Sequence, residues 1–237
     1  MIRQQTSILL ASTFLAFFAC SSAEPEGNGR SNSVAADPLA PAPVEAPKPE
    51  PAQTTTPGEG LFAEIKTAKG TIVCQLEYAL TPMTVASFVA LAEGKHPYVT
   101  TVEKSKHFYD GLTFHRVAPD FVIQGGDPSG NGSGGPGYMF PEEIVPSLRH
   151  DKAGTMAMAR TPARGSNGSQ FYFTLKDTPF LDGDYTVFGH VVSGMDVVKS
   201  IQQGDKMESV TIVAKGKDAE AFDAVKVLEA NKDKFKK

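Results

Sequence analysis

The side chains of this sequence that could do chemistry are polar groups set among apolar ones. Arg116 and Gln124 lie on either side of the apolar pair Phe121 and Val122. Arginine is always charged and holds its donors in a rigid planar fork, so it suits stabilisation of an electron pair that develops on a substrate atom. When such a residue stands alone, however, a surface arginine in a salt bridge is the commoner case.

Other patterns weigh against nucleophilic, phosphate or metal chemistry. Ser169 lies in a Gly-Ser-Gln run that lacks the second glycine of a nucleophile elbow. Seven of the thirteen residues from 125 to 137 are glycine, but no Gly-Lys-Ser or Gly-Lys-Thr ending follows. A turn-rich loop is therefore favoured over a phosphate cradle. The five histidines are scattered without metal-ligand spacing, at positions 96, 107, 115, 150 and 190.

Three sequence blocks, taken together, resemble the cyclophilins. The first is YDGLTFHRV at 109–117, which continues as FVIQGGDP at 121–128. The second is GTMAMAR at 154–160 with NGSQF at 167–171, and the third is LDG at 181–183 with VFGHV at 187–191. They occur in the order of that family and with nearly its spacing, over roughly residues 62–213. One block alone would be a weak signal, whereas three in order are specific.

The resemblance implies a peptidyl-prolyl cis/trans isomerase and assigns roles to residues. Arg116 matches the catalytic arginine, and Gln124 matches the glutamine that orients it. The proline pocket is matched by Phe121, Val122, Tyr172 and Leu181. The surrounding rim and far wall are matched by Gly132, Ala159, Arg160, Gln170, Phe180 and Tyr185. Isomerisation breaks no bond, so the resemblance implies neither a metal nor a cofactor.

Each residue could instead have a purely structural role. The apolar residues could be ordinary core, and the two glutamines could cap loop backbone. Two positions also depart from the family pattern: Arg160 replaces a common asparagine, and Tyr172 replaces the usual phenylalanine, which predicts a slightly more polar pocket. Residues 96–106 look like an insertion, and residues 161–166 differ in length from the common form.

The elements that would position these residues can be predicted from local patterns. Residues 61–67 and 71–76 read as a hairpin, and Thr81-Pro82 as the N-cap and first residue of a helix that Gly94 ends. Val85, Phe88, Val89 and Ala92 share one face of that helix. Further strands are expected at 112–117, 121–124, 155–159, 170–175, 186–192 and 208–214, with helices at 195–203 and 218–231.

These elements predict a mostly β fold, a closed antiparallel eight-stranded barrel capped by two helices, with an added C-terminal helix. The expected domain spans residues 61–237, and its helical extension starts at about residue 216. Cys74, in a strand-like run, is expected to be a small buried hydrophobe. The net charge of −4, from 23 basic and 27 acidic residues, offers no concentrated basic face and argues against nucleic acid as a partner.

The first nineteen residues are predicted to be a signal peptide. Arg3 precedes an apolar run at 8–18, and Cys20 follows the small Ala19. This pattern resembles the lipobox of bacterial lipoproteins, which implies a lipid on Cys20. The alternative is ordinary signal cleavage after Ala23.

Residues 20–60 are predicted to be a disordered linker, since seven prolines fall between positions 38 and 57. The expected location is the cell envelope, in the periplasm or as an outer-membrane lipoprotein, with a membrane contact through the lipid. The expected partners are proline-containing peptides and unfolded exported proteins. A proline-peptide-binding module or holdase chaperone with little catalysis is the alternative function, and a structural surface protein is a more distant one.

Overall fold

The computed structural model describes residues 58–103 and 105–237 of the chain. The predicted signal peptide, Cys20 and the linker up to residue 57 lie outside these residues. Among the described residues no helix has both the length and the apolar character needed to cross a membrane.

The described residues form eight strands and four α-helices. The strands are β1 (Gly60–Thr67), β2 (Gly70–Leu76), β3 (Arg116–Ala118), β4 (Val122–Gly125), β5 (Thr155–Met158), β6 (Phe171–Thr174), β7 (Val187–Ser193) and β8 (Ser209–Lys215). The helices are α1 (Pro82–Ala92), α2 (Met195–Ser200), α3 (Lys217–Glu220) and α4 (Ala224–Ala230), and short 3-10 turns occupy Pro179–Leu181 and Lys232–Lys234.

The strands form one antiparallel sheet in the order β3-β4-β6-β5-β7-β2-β1-β8. This confirms a mostly β fold with eight strands. Among the described residues no strand ladder joins β3 to β8, so the hydrogen-bonded sheet has two ends. The expected strand at 112–117 is shorter, because residues 111–114 bond instead to residues 204–207 beside the start of β8, including one isolated bridge between Thr113 and Lys206.

Helix α1 lies in the main core. All of its residues from Met83 to Ala92 are buried. The Phe88 ring lies 4.9 Å from that of Tyr109 and 5.5 Å from that of Phe171, between ring centroids. The side chain of Cys74 is fully buried in the same core, as expected.

The start of α1 corrects one prediction. Thr81 occupies the N-cap position, but its side chain makes no capping bond and donates to the Glu77 carbonyl instead. The cap is Glu143, whose carboxylate accepts the backbone N–H of Met83 at 3.1 Å and that of Thr84 at 2.6 Å. A carboxylate there satisfies free amides and complements the positive end of the helix.

The C-terminal extension also differs from its prediction, because the single helix expected over 218–231 is two helices. Asp223 is in an extended conformation, and its side chain accepts the Lys226 backbone N–H at 3.0 Å. Aspartate favours such a helix start over a helix interior. Leu228 is buried as expected, whereas Ala221 is exposed and Val225 is half-buried.

Candidate active site

One row of side chains crosses five neighbouring strands. Arg116 on β3 lies opposite Gln124 on β4, which lies opposite Tyr172 on β6. Tyr172 in turn lies opposite Ala157 on β5, which lies opposite Val187 on β7. Directly opposite residues share a face of a sheet. The register therefore places the arginine, the glutamine and three apolar side chains on the same face.

A chain of hydrogen bonds holds the polar part of this row. Arg116 Nη1 donates to Gln124 Oε1 at 3.5 Å, and Gln124 Nε2 donates to Gln170 Oε1 at 2.9 Å. Gln170 Nε2 donates to the carbonyls of Gly132 and Gly134, at 3.0 and 2.8 Å. Since the glycine carbonyls can only accept, they set the orientation of both amides and turn the Gln124 oxygen toward the arginine.

The guanidinium of Arg116 remains open on its outer side. The residue is exposed, and its Cζ lies 5.8 Å from the centroid of the Phe121 ring. In the described part of the chain it has no carboxylate partner, so the salt-bridge alternative finds no support there. Most of its donors are therefore available to a substrate.

Beside this arginine lies a second apolar cluster, separate from the main core. Its buried members are Val122, Ala157, Tyr172 and Val187, and half-buried residues pack around them: Ala118, Phe121, Leu148, Ala159, Leu181 and Tyr185. Phe180 is 69% exposed, and its ring stacks on that of Phe121 at 5.8 Å between centroids. The structure thus brings the predicted pocket and far-wall residues together around one apolar surface.

The side chain of Arg160 is used within the protein. Its Nε lies 3.0 Å from Glu142 Oε1, and its guanidinium donates to the Asp184, Thr161 and Pro162 carbonyls. Its Cζ also lies 4.8 Å from the Tyr185 ring centroid. These contacts hold two loops in place. Any contact of Arg160 with a substrate is therefore left to its backbone.

The hydroxyl of Tyr172 points away from the pocket, into a buried network that the sequence analysis missed. It lies 2.8 Å from Nε2 of His150, whose Nδ1 lies 2.9 Å from Asp182 Oδ1. Because the carboxylate can only accept, Nδ1 carries the proton and Nε2 accepts from the tyrosine. The pocket surface is thus apolar despite the tyrosine. No local pattern indicated this network.

Burial and hydrogen bonding set the charges of this network. Burial lowers the pKa of His150, which keeps the ring neutral, although its bond to Asp182 partly opposes this. Burial also raises the pKa of Tyr172. Burial opposes ionisation of Asp182, but bonds from His150 and the charge of Arg149 outweigh it and hold that pKa below its usual value.

A second missed residue, Asp127, shapes the glycine-rich loop. Its carboxylate is 1% exposed and accepts the backbone N–H groups of Ser129, Asn131 and Gly132. A Cβ at Gly134 would collide with the same carboxylate, so the close approach of the loop requires glycine there. Burial opposes the charge of Asp127, but these backbone donors hold its pKa below the usual value. The loop in turn presents the two carbonyls that Gln170 binds.

A cavity of about 650 Å³ adjoins this row of residues. The loop at 132–137 forms part of its lining. Four predicted site residues also line it: Gln124, Ala159, Arg160 and Gln170. Predicted rim residues thus lie between the apolar cluster and this cavity. Cys20, the remaining predicted site residue, lies outside the described residues.

Comparison with known sequences identifies similar proteins. The sequence model of the family described as cyclophilin type peptidyl-prolyl cis-trans isomerase/CLD matches residues 62–230. Peptidyl-prolyl cis-trans isomerase B of Streptomyces anulatus is 46% identical over 148 residues, which cover 60% of this chain and 84% of the relative. The Helicobacter pylori peptidyl-prolyl cis-trans isomerase is 42% identical over 151 residues, which cover 63% of this chain and 85% of the relative.

Solved structures show the same similarity. A cyclophilin type peptidyl-prolyl cis-trans isomerase of Cryptosporidium parvum has a TM-score of 0.56 and 27% identity, covering 65% of this chain and 98% of the other. A second structure of that protein, in the presence of the dipeptide Ala-Pro, has a TM-score of 0.53 and 28% identity, covering 66% and 99%.

Proposed function

The chain belongs to the cyclophilin-type peptidyl-prolyl cis-trans isomerase family, and from this premise we propose that it isomerises proline-preceding bonds at the row headed by Arg116. Isomerase activity itself follows from relatives of that name at 42–47% identity. The observation that carries the proposed site is the shared face of Arg116, Gln124 and the apolar cluster.

The barrier to rotation arises from the amide itself. The nitrogen shares its lone pair with the carbonyl, so rotation costs ~18–20 kcal/mol. As the bond twists, the lone pair localises on nitrogen and becomes an acceptor. A donor from Arg116 near that nitrogen stabilises the twisted state more than the planar one, which is the condition for catalysis. No covalent step is needed.

The neighbouring groups bind the proline substrate and orient Arg116. The apolar cluster around Val122 and Tyr172 takes the proline ring, because burying its methylenes is favourable and excludes water from the twisting bond. Gln124 accepts one long bond from Arg116, at 3.5 Å, and so orients the guanidinium toward the pocket row. The Ala-Pro dipeptide of the Cryptosporidium parvum structure supports proline peptides as ligands for this site.

Substitution of Arg116 tests the mechanism. Arg116→Ala should lower kcat/KM for a proline peptide by about 10²–10³, the usual cost of one preorganised donor. Peptide affinity should change much less, because few ground-state contacts are lost. Arg116→Lys should restore only part of the activity, since an ammonium keeps the charge but lacks the fork. Exchange NMR measures turnover, and titration measures affinity.

Arg164→Ala is the matched control, since Arg164 is an exposed arginine that pairs with Asp184 outside the apolar cluster. It should leave turnover near the wild-type value. Circular dichroism verifies the fold of each variant. Wild-type turnover in a folded Arg116→Ala variant would refute the mechanism, and an inactive wild type that binds peptides would favour a binding module.

We further propose that the chain acts on exported proteins from an anchor at Cys20. The apolar run at 8–18, the Ala19-Cys20 pair and the proline-rich residues 38–57 support this. The location would be the cell envelope. Mass spectrometry of the mature protein decides the matter: a lipidated Cys20 at the N-terminus is expected, and an unmodified N-terminus at Glu24 would exclude it.

We also infer that the two ends of the sheet meet and close it into a barrel. Two backbone hydrogen bonds support this closure, because they join the segment before β3 to the segment before β8. They run from Gly111 N to Met207 O at 2.7 Å and from Phe114 N to Asp205 O at 2.8 Å. Hydrogen exchange tests it, because amides of Phe114 and Met207 should be protected as strongly as those of β4. Rapid exchange there would show an open edge.

A further inference from the structure

The C-terminal residues form one wall of the cavity beside the active site. Lys236 and Met139 exchange two backbone hydrogen bonds, at 2.7 and 2.8 Å, and so make an isolated antiparallel bridge. Lys236 and Lys237 line the cavity together with Gln124 and Gln170. The tail thus borders the same space as Gln124 of the proposed catalytic row.

This tail is held in place by aromatic packing. The ring of Phe235 lies 5.4 Å from that of Tyr138, 5.4 Å from that of Phe140 and 5.3 Å from that of Tyr98, between centroids. Tyr98 lies in the segment 96–106, whose Thr100 backbone N–H donates to the Pro136 carbonyl at 3.0 Å. The predicted insertion and the C-terminal extension therefore meet beside the cavity.

The charge of the cavity is positive and comes from the tail. Among the side chains that line it, three carry a positive charge and none a negative one: Arg160, Lys236 and Lys237. Arg160 is neutralised by Glu142, and the two side chains are 6% and 8% exposed. The lysines are exposed and form no ion pair within the described part of the chain. No acidic side chain of the cavity lining compensates their charges.

We propose that Lys236 and Lys237 select substrates with an acidic side chain close to the proline. This inference rests on the proposed function, because it takes the Arg116 row as the place where the proline bond lies. Gln124 belongs to both the row and the cavity, and Gln170, which bonds to it, also lines the cavity. A side chain one or two residues from the proline therefore reaches the cavity at about 3.3 Å per residue. The volume of about 650 Å³ is ample for one or two side chains.

The experiment compares peptides that differ only in charge. One series places Glu, Ala or Lys before an Ala-Pro pair, and a second places them after it. Exchange NMR measures kcat/KM without a coupling protease, whose own charge preference would interfere. The full chain should prefer Glu over Lys about tenfold on one of the two sides, since each exposed pair contributes about a two- to fivefold effect. One-molar salt should reduce the preference toward unity.

Charge reversal assigns the preference to the tail. Lys236→Glu with Lys237→Glu should lower the Glu-to-Lys ratio of kcat/KM by about tenfold or more, and Lys236→Gln with Lys237→Gln should lower it by an intermediate amount. The matched control reverses two exposed lysines of the same extension that do not line the cavity, Lys217 and Lys226. It should leave the ratio within about twofold of wild type.

Three outcomes would overturn the inference: a wild-type ratio near one on both sides, no effect of charge removal in the tail, or an equal effect of the control pair. Peptide affinities from NMR titration are measured in parallel on the same series. If no peptide is turned over, the proposed function fails, while the affinity ratios still show whether the lysines select acidic ligands.

Discussion

At the scale of single residues, the polar side chains of the site are of two kinds. Some have hydrogen-bond partners within the protein, and others keep donors available to a substrate. Gln124, Gln170 and Arg160 have protein partners for their polar atoms. Arg116 has one long bond to Gln124 and an otherwise open guanidinium. This difference explains why only Arg116 is expected to act on the reacting bond, whereas the others hold loops and orientations.

The Tyr172 hydroxyl gives a prediction at this scale. Tyr172→Phe removes the donor to His150 and leaves a fully buried ring nitrogen unpaired, which should lower the free energy of unfolding by about 1–3 kcal/mol. The effect on kcat/KM should be far smaller than that of Arg116→Ala, because the hydroxyl points away from the pocket. Chemical denaturation and exchange NMR measure the two quantities.

Tyr185→Phe is the control for that substitution. Tyr185 belongs to the same apolar cluster, and its hydroxyl has no partner among the described residues. Its loss should change the free energy of unfolding by no more than about 0.5 kcal/mol. If both variants lose the same stability, the bond to His150 contributes nothing measurable.

At the scale of elements, the site depends on contacts between segments that are distant in the chain. The loop at 127–134 is shaped by one buried carboxylate, and the loops at 161–165 and 182–185 are held by one arginine and Glu142. Helix α1 likewise receives its N-cap from Glu143. The single residue Glu143 therefore links the core helix to the segment between β4 and β5.

We predict that Glu143→Ala destabilises the protein by about 1–3 kcal/mol, because the first turn of α1 loses an acceptor for two backbone N–H groups. Glu143→Gln, which keeps one acceptor oxygen, should lose less. The free energy of unfolding from urea titration measures both changes.

Thr81→Ala distinguishes this cap from the one that the sequence predicts. Thr81 makes no capping bond, so its replacement should cost less than that of Glu143. A larger loss for Thr81→Ala would show that the threonine is the effective cap in solution.

At the scale of the whole molecule, the segment around His96 and Tyr98 packs against the C-terminal extension. His96 lies at this contact: it is 5% exposed, and its ring stacks on Tyr138 at 4.4 Å between centroids. Burial lowers the pKa of His96 to about 3. The ring is therefore neutral in the folded protein over most of the acidic range.

This burial predicts loss of stability in acid. Above the unfolded pKa of 6.5 neither state binds the proton. As the pH falls below 6.5 the unfolded chain binds it and the folded protein does not, so the free energy of unfolding falls by about 1.4 kcal/mol per pH unit toward pH 3. His150 contributes in the same direction. Asp127 and Asp182, whose pKa values are lowered, add their loss only below about pH 4.

His96→Phe should flatten this dependence between pH 6.5 and pH 4, whatever its constant effect on stability. His107→Phe is the control, since the side chain of His107 is 59% exposed. Urea denaturation across this pH range measures the slopes. Equal slopes for His96→Phe and the wild type would contradict the role assigned to the buried ring.

The sequence by itself determined the elements and residues that local rules govern. The alternation of apolar and polar residues predicts the β1–β2 hairpin, and Pro82 and Gly94 predict the bounds of α1. These signals are local, because strand and helix periods and the backbone limits of proline and glycine act over a few residues. The order of the three blocks indicated the family. Matches within these blocks also identified Arg116, Gln124 and the pocket residues as candidates for one site.

Only the tertiary structure decided how distant residues meet. The Glu143 cap lies about sixty residues from its helix, the Tyr172 hydroxyl turns to His150, and Lys236 reaches the cavity beside Gln170. No local pattern encodes these contacts, because each depends on how the packed strands and loops orient side chains from separate segments. The break of the C-terminal helix has both origins: Asp223 caps the new helix by a local rule, while Phe222 just before it packs on the distant Tyr78.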